Sequence, residues 1–253
     1  MEWSSLPSGY SLILALLILV ASIAFLVLRQ RISTRSSGND FLILGISDAG
    51  KTALLTKLEF GRILPTHTSM ESNQFASPRS SSTDNAHTGT NAVRFVDIPG
   101  HFRLRPQYQD QLASARGLVF VLDSAQLARN VRDVAMALYD VLVHPAIGAA
   151  RSPPPILVLC NKVDLFTAAP VATVKKMLET EMNRLRTTRS AALESHESEG
   201  DADASSGAAE YLGFEGQDFK FDHIPNEIRF QRLSVKNEDP QVVLDWAEEN
   251  WWE

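Results

Sequence analysis

A glycine-rich loop ending in lysine and threonine is the first group of residues whose spacing could do chemistry. Gly45, Gly50, Lys51 and Thr52 follow the order G-x-x-x-x-G-K-T within FLILGISDAGKTALL. Glycines let the backbone curl so that amide groups point at a phosphate, and the lysine reaches the β- and γ-phosphates. The threonine hydroxyl can hold Mg²⁺. Because an apolar run precedes this loop and a helix-forming run follows it, the pattern predicts a phosphate-binding loop.

A second polar group follows the apolar run AVRFVDI. Asp97 stands at the end of this predicted strand, and Gly100 follows three residues later. Ligands of open α/β sheets bind outside the carboxyl ends of the strands. A carboxylate at that position can hold Mg²⁺ through water, and the amide of Gly100 can reach a γ-phosphate. Thr52 and Asp97 are therefore the first two candidate metal-binding residues.

The run NKVD ends another predicted strand and indicates which base the site selects. It places Asn161, Lys162 and Asp164 among the candidate cofactor-binding residues. The Asp164 carboxylate can accept two hydrogen bonds from N1 and N2 of guanine, and adenine offers no such pair. Charge-assisted bonds of about 1.5 to 3 kcal/mol each correspond to roughly 10² to 10⁴ in selectivity. The three motifs together favour GTP or GDP and disfavour a P-loop ATPase or kinase.

Composition limits the other classes of function. The chain has 253 residues, of which 44% are hydrophobic, enough for one domain of ordinary size with appendages. A net charge of −6 gives no overall basic character, so a directly bound nucleic acid is not expected. The single cysteine, Cys160, excludes an internal disulfide framework and any multi-cysteine metal site, which suits a reducing compartment.

Short apolar runs and helix-period stretches alternate, and these elements must position the three motifs. The strand candidates are residues 41–45, 92–98, 117–123, 156–161 and 228–234. The polar loop 77–90 could join two antiparallel strands, which would add a sixth strand. This alternation predicts an α/β fold with a mostly parallel six-stranded sheet and helices on both faces.

Helical spacing of apolar residues predicts the main helices. One apolar stripe consists of Val131, Val134, Leu138, Val141 and Leu142. The stretches 174–186 and 239–252 show the same pattern, and in the second Asp239 is expected as the cap with Pro240 at the first helical position. The segment 195–210 is acidic and rich in small residues, so we expect it, like 77–90, to be a mobile insertion.

The N-terminal region is predicted to anchor the chain in a membrane. Residues 12–28 are uncharged and apolar, and about 17 helical residues span roughly 26 Å, close to the thinner hydrocarbon cores. Arginines follow this segment within the linker 29–40, so the positive-inside rule places residues 1–11 in the lumen and 41–253 in the cytosol. A cleaved signal peptide is the alternative, although basic residues are missing from its front end.

The motifs and their order resemble those of the small GTPases over residues 41–253. The resemblance implies a P-loop GTPase fold that binds GTP or GDP with Mg²⁺, and it adds Asp48, Ala49 and Ala53 to the cofactor-binding loop. It also implies a switch threonine that meets the metal and the γ-phosphate. Both Thr66 and Thr68 are available, and Thr68 is preferred because Thr-Ser before a short strand is similar to the Sar-like branch.

The same resemblance assigns two further positions. Ser234 and Val235 begin SVK, which is similar to the fifth motif, usually Ser-Ala-Lys, with valine in place of alanine. His101 stands where many GTPases have the glutamine that orients the attacking water, as in the Sar-like branch, and is the candidate catalytic residue. This departure makes slow or partner-dependent hydrolysis the expectation.

Including the anchor narrows the resemblance further. The anchor, DIPGH, SARGLVFVLDSA and LRTTRSAA together resemble the β subunits of the signal recognition particle receptor. That resemblance implies a single-pass protein of the endoplasmic reticulum membrane with a cytosolic GTPase domain. It also implies a partner, the N-terminal domain of the receptor α subunit, in co-translational targeting, with the ribosome or translocon as further candidates.

Two alternatives stay open from the sequence. A coat-recruiting GTPase of the Arf and Sar branch shares the fold, but those proteins use an amphipathic or acylated N-terminus, and Glu2 follows Met1 here where acylation needs glycine. The other alternative is a structural anchor that holds GTP as a fixed cofactor and never cycles.

Overall fold

The computed structural model describes residues 40–66, 71–78, 92–100, 111–150, 152–197, 212–214 and 216–251. These residues belong to one compact unit, Gly38–Glu253. The strands are β1 (Asp40–Leu44), β2 (Asn73–Pro78), β3 (Ala92–Asp97), β4 (Ala115–Asp123), β5 (Ile156–Asn161) and β6 (Ile228–Arg232). The helices are α1 (Lys51–Phe60), α2 (Leu127–Val143), α3 (Pro145–Gly148), α4 (Val171–Glu197) and α5 (Gln241–Glu249), with a 3₁₀ turn at Phe221–His223.

In the described part of the chain, six strands form one sheet in the order β2-β3-β1-β4-β5-β6. Strand β2 runs antiparallel to β3, and every other neighbouring pair is parallel. This confirms the predicted α/β fold with a mostly parallel six-stranded sheet, including the antiparallel pair. Connections between parallel strands need a crossover, which explains why helices separate β4, β5 and β6 along the chain.

Alternating side chains of the strands enter two core layers, one on each face of the sheet. On one face, β1 contributes Leu42 and Leu44 to a buried cluster that includes residues of α2 and α4. On the other face, Phe41 and Ile43 pack with residues of α1 and α5, among them Trp246. The period-two alternation of β1 therefore places α2 and α4 on one face and α1 and α5 on the other.

Element boundaries differ from the sequence-based expectations at several points. Helix α4 extends from Val171 to Glu197, so it includes the first residues of the predicted insertion 195–210, and β2 includes the first two residues of 77–90. The remaining residues of both insertions lie outside the described residues. The last helix begins at Gln241 with Pro240 as its cap residue, so Asp239 is not the cap.

The membrane segment predicted at 12–28 lies outside the described residues, and its insertion stays a prediction. Among the helices that the structure does describe, none is both long and apolar enough to cross a membrane.

Three central strands end in polar residues at the same edge of the sheet. Asp97 ends β3, Asp123 ends β4 and Asn161 ends β5, and Asp123 lies in register with Asn161. Cys160, the residue before Asn161, is fully buried, and burial raises the pKa of its thiol from 9.0 to about 12. The described core thus presents its polar groups along one edge, where the loop after β1 also lies.

Candidate functional site

The loop between β1 and α1 needs glycine at two positions for steric reasons. Gly45 has φ +138°, and a Cβ added there would lie 2.1 Å from the carbonyl oxygen of Val121 on β4. Gly50 has φ +97°, and a Cβ there would lie 2.4 Å from the Asn161 side-chain nitrogen. Both values lie in the left-handed region that other residues rarely adopt. The glycines let the loop pack directly against β4 and the base motif.

Lys51, the first residue of α1, carries a buried ammonium group. Its Nζ donates to the carbonyl oxygen of Ile46 at 2.8 Å, which folds the side chain back over the loop. Burial lowers the pKa of Lys51, while the charges of Asp97 and Asp48 raise it. A Cβ built on Gly100 would lie 2.7 Å from the backbone atoms Gly45 O and Ile46 C, so the close backbone approach requires glycine there, and Lys51 Nζ would lie 2.5 Å away. This places the predicted lysine and the predicted γ-phosphate amide side by side.

Thr52 and Asp97 meet at the start of α1. The Thr52 hydroxyl donates to Asp97 Oδ2 at 2.6 Å, while the buried Oδ1 has no hydrogen-bond partner of normal geometry among the described residues. Burial raises the pKa of Asp97, and the bond from Thr52, the charge of Lys51 and the Asn73 side chain lower it. A desolvated carboxylate beside a hydroxyl suits a divalent cation.

These groups surround a cavity of about 390 Å³. Its lining residues are Ser47, Asp48, Gly50, Lys51, Thr52, Ala53, Thr66, Pro99, Gly100 and Lys162. The described residues contain no group of three or more His, Cys, Asp or Glu side chains that could hold a metal ion without other ligands. Mg²⁺ commonly keeps several waters and binds through one or two carboxylates plus substrate phosphates, so the pair Thr52 and Asp97 fits that ion.

Two residues of the base motif join β5 to the phosphate loop. Asn161 Nδ2 donates to the Ala49 carbonyl at 2.9 Å, and its Oδ1 accepts from the Val235 amide at 3.1 Å. Lys162, in a left-handed conformation with φ 62°, donates to the Asp48 carbonyl at 2.8 Å. Asp48 also has a left-handed φ of 62°. Asn161 and Lys162 therefore position the loop as well as the predicted base site.

Asp123 belongs to the site and was not among the residues predicted from the sequence. Its Oδ2 pairs with Lys162 Nζ at 2.7 Å, and its Oδ1 accepts from the amides of Ala125 and Gln126 at 2.8 and 3.2 Å. The carboxylate thus fixes both Lys162 and the turn that leads into α2. The signal available in the sequence was an acidic residue ending the strand next to the NKVD strand.

Asp164 and Ser234 form the base-selecting end of the site. Ser234 Oγ donates to Asp164 Oδ1 at 2.7 Å, and this bond lowers the pKa of Asp164. The Asp164 carboxylate is therefore ionised at neutral pH. The Val235 amide already donates to Asn161 in this structure, so Val235 connects two predicted motifs.

Lys57, in the last turn of α1, is a second residue that sequence reasoning missed. Its Nζ donates to the carbonyl oxygens of Val235 at 2.7 Å and Glu238 at 2.6 Å, with Lys236 O at 3.5 Å. A lysine in a last helical turn ordinarily indicates interaction with its own helix end, so this contact could not be predicted from the sequence.

Two predicted residues lie outside the described residues, the switch threonine Thr68 and His101. Their roles stay predictions. The alternative switch residue, Thr66, is described and lines the cavity. The other predicted residues of the loop, Asp48 and Ala53, also line it, and Ala49 accepts the bond from Asn161.

Comparisons with known proteins identify the family. The sequence model of the family "Signal recognition particle receptor beta subunit" matches residues 36–228. The signal recognition particle receptor subunit beta of Homo sapiens is 36% identical over 231 residues, which cover 91% of this chain and 79% of the human protein.

Two solved structures are similar over most of the described domain. A chain of "The Structure of the Mammalian SRP Receptor" is 31% identical, with a TM-score of 0.67, covering 83% of this chain and 99% of that one. The "SRb-GTP/SRX complex from Chaetomium thermophilum" contains a chain that is 26% identical, with a TM-score of 0.61, covering 83% of this chain and 96% of that one. The phosphate loop, the base motif and these matches together show that the chain belongs to the signal recognition particle receptor β subunit family.

Proposed function

We propose that this protein is the membrane-anchored GTP-binding subunit of a signal recognition particle receptor, which tethers the α subunit to the endoplasmic reticulum. The observation that carries this proposal is a buried ammonium, Lys51, which lines a cavity of about 390 Å³ together with Thr52, the residue bonded to the buried carboxylate of Asp97. Burial desolvates both charged groups, and each charge acts on the pKa of the other. A phosphate group and a metal ion bound together would satisfy both.

The nucleotide is proposed to be GTP or GDP with Mg²⁺. Lys51 and the loop amides would hold the β- and γ-phosphates, and Thr52 and Asp97 would hold the metal, directly or through water. When bound, Mg²⁺ supplies charge neutralisation of the phosphate oxygens. Asp164, ionised and aligned by Ser234, would accept the two hydrogen bonds of guanine.

The switch is proposed to be read by the N-terminal domain of the receptor α subunit. A γ-phosphate can order the 62–71 loop through a threonine and the 99–110 loop through Gly100, and GDP lacks the group that orders either. The similar chain from Chaetomium thermophilum was solved in a complex with GTP and SRX. A partner that contacts both ordered loops would therefore bind the GTP form selectively.

Membrane attachment is proposed through residues 12–28, with residues 1–11 in the lumen of the endoplasmic reticulum and 29–40 as the linker. The support is the apolar run followed by arginines. The ribosome and translocon are proposed as further contacts, in keeping with a role in co-translational targeting. No direct binding of nucleic acid is proposed, because the chain is acidic overall.

A binding experiment tests the switch directly. The full-length protein is loaded with GTP or GDP in detergent, and its affinity for the α subunit's N-terminal domain is measured. We expect tighter binding to the GTP form, by about 5- to 150-fold. As a control, Asp97→Asn should remove most of this difference, because it removes the carboxylate proposed to hold the metal. Equal binding of the two loaded forms would support the second candidate, a fixed anchor.

That second candidate, a non-cycling anchor with GTP as a permanent cofactor, is favoured by one observation. His101 occupies the position of the usual glutamine, and an imidazole carries its donor and its acceptor on two separate ring nitrogens, whereas a glutamine amide presents both at one end. Unaided hydrolysis is therefore proposed to be slow, no faster than the order of 10⁻³ s⁻¹. The GTP state would then persist until a partner intervenes.

A further inference from the structure

Lys57 makes a contact that neither the phosphate nor the metal explains. It lies in the last turn of α1, and its ammonium donates to the carbonyl oxygens of Val235 and Glu238 at 2.7 and 2.6 Å. The two partners follow β6, 178 and 181 residues away in the sequence. The contact therefore joins the helix that begins at the phosphate site to the loop next to the base-selecting aspartate.

The loop formed by residues 234–238 is held from several sides. Its own turn is closed by the Glu238 amide donating to the Ser234 carbonyl at 2.8 Å and by the Glu238 carboxylate accepting from the Ser234 amide at 2.9 Å. Asn161 binds the Val235 amide, so both backbone groups of Val235 are held by side chains, Asn161 on one side and Lys57 on the other. The orientation of this peptide thus depends on β5 and on α1 together.

Helix α1 is short and well anchored at both ends. Lys51 and Thr52 open it at the cavity, Leu54 and Leu55 are buried beneath it, and Gly61 ends it by donating to the Lys57 carbonyl at 2.9 Å. Lys57 lies six positions after Lys51, which is about 9 Å along a helix axis. Helix α1 therefore links the phosphate end of the site to the loop that positions Ser234 and, through it, Asp164.

We propose that Lys57 is a positioning residue that couples the phosphate end of the site to guanine selection. It acts through the loop 234–238 and touches no part of the nucleotide itself. This inference rests on the proposed function, since it takes the ligand to be a guanine nucleotide. It predicts that loss of the ammonium weakens guanine recognition more than it weakens binding of the phosphates.

The test compares Lys57→Met with the unaltered full-length protein in detergent. Methionine keeps the length and packing of the side chain and removes the donor. We expect the dissociation rate of fluorescent GDP to rise on the order of tenfold, which corresponds to the loss of about one hydrogen bond to a charged donor. The affinity ratio of GDP to ADP should fall by a similar factor. Binding of the probe Mg-pyrophosphate should change less than twofold.

Matched variants separate positioning from stability. Lys57→Arg, which keeps a charged donor, should restore much of the GDP to ADP ratio. Lys175→Met removes another helix lysine, one whose ammonium lies 3.3 Å from Asp222 away from the loop, and should leave both the dissociation rate and the ratio unchanged. If Lys57→Met does not fold, Lys57→Gln, a neutral donor, gives the same measurement in a milder form.

The outcomes distinguish this inference from the proposed function. Equal affinity of the unaltered protein for GDP and ADP would overturn the proposed function and this inference with it. A clear guanine preference in the unaltered protein, with an unchanged GDP to ADP ratio in Lys57→Met, would overturn the role of Lys57 alone. A lower melting temperature with an unchanged ratio would likewise assign Lys57 to stability.

Discussion

At the scale of single residues, the base-selecting aspartate combines exposure with a fixed orientation. Asp164 is solvent-exposed, and the bond from Ser234 lowers its pKa while leaving one carboxylate oxygen available. Desolvation is therefore small before a ligand arrives, and the carboxylate is charged across the neutral pH range. Such a group can discriminate bases by hydrogen bonding without a large cost for burying its charge.

Asp164→Asn tests guanine selection. The amide presents a donor where guanine N2 also presents a donor, so we expect GTP affinity to fall by about 10² to 10⁴. Xanthosine triphosphate, whose C2 carbonyl replaces the amino group, should be preferred instead. Competition binding with full-length protein measures both. ATP binding as tightly as GTP in the unaltered protein would show that the base assignment is wrong.

The sequence predicted the residues whose roles depend on a short local motif. Gly50, Lys51 and Thr52 lie within one loop, and the bond between Thr52 and Asp97 follows from two motifs at neighbouring strand ends. Asp123 and Lys57 were missed because neither belongs to one of the recognised motifs, and their partners, Lys162 and Val235, lie 39 and 178 residues away. For Asp123 the available signal was its position at the end of a strand, and for Lys57 the residue type indicates no such contact.

At the scale of elements, the number and type of the strands were more predictable than their boundaries. The five apolar runs all became strands, and the polar residues that end β3, β4 and β5 meet at one edge because parallel strands share a direction. Helix ends were less predictable. Pro240 supplies the carbonyl that accepts the first bond of α5, from the Val243 amide at 2.9 Å, so a cap at Asp239 is not needed.

The packing of α5 on β1 predicts a large effect for one core substitution. Phe41 is fully buried, with its ring 5.6 Å from that of Trp246 and 5.7 Å from that of Phe95. Phe41→Ala should lower the free energy of unfolding by roughly 3 to 5 kcal/mol, from lost burial and the cavity left behind. Urea denaturation measures this change.

Phe166 provides the matched control. It is the same residue type but fully exposed in the loop after the base motif, so Phe166→Ala should change the free energy of unfolding by less than about 0.5 kcal/mol. Similar losses in the two variants would contradict the assignment of Phe41 to the core between the sheet and α5.

At the scale of the whole molecule, the sequence predicts an arrangement that lies beyond the described residues. The apolar run 12–28 and the arginines after it predict a single span with the GTPase domain in the cytosol. Hydropathy identifies such a segment without any tertiary contact, because the bilayer fixes the length that a helix must cover. In a receptor β subunit, such a span would attach the GTPase domain to the membrane.

Protease treatment of sealed microsomes tests the topology. With the full chain inserted, we expect degradation of nearly all residues after 28 and protection of a short N-terminal fragment, detected with a tag at the N-terminus. Permeabilising the membrane with detergent should expose the tag as well. A protected GTPase domain would reverse the orientation, and a mature chain lacking its first residues would favour a cleaved signal peptide.

The single thiol of this chain has a practical consequence for following the switch in solution. Cys160 is buried on β5, and with a pKa of about 12 it stays protonated and shielded while the domain is folded. Alkylating labels react with exposed thiolates, so the native thiol is silent to them. A fluorophore or cross-linker can therefore be attached at one introduced position, such as F166C beside the base motif, without first removing the native cysteine.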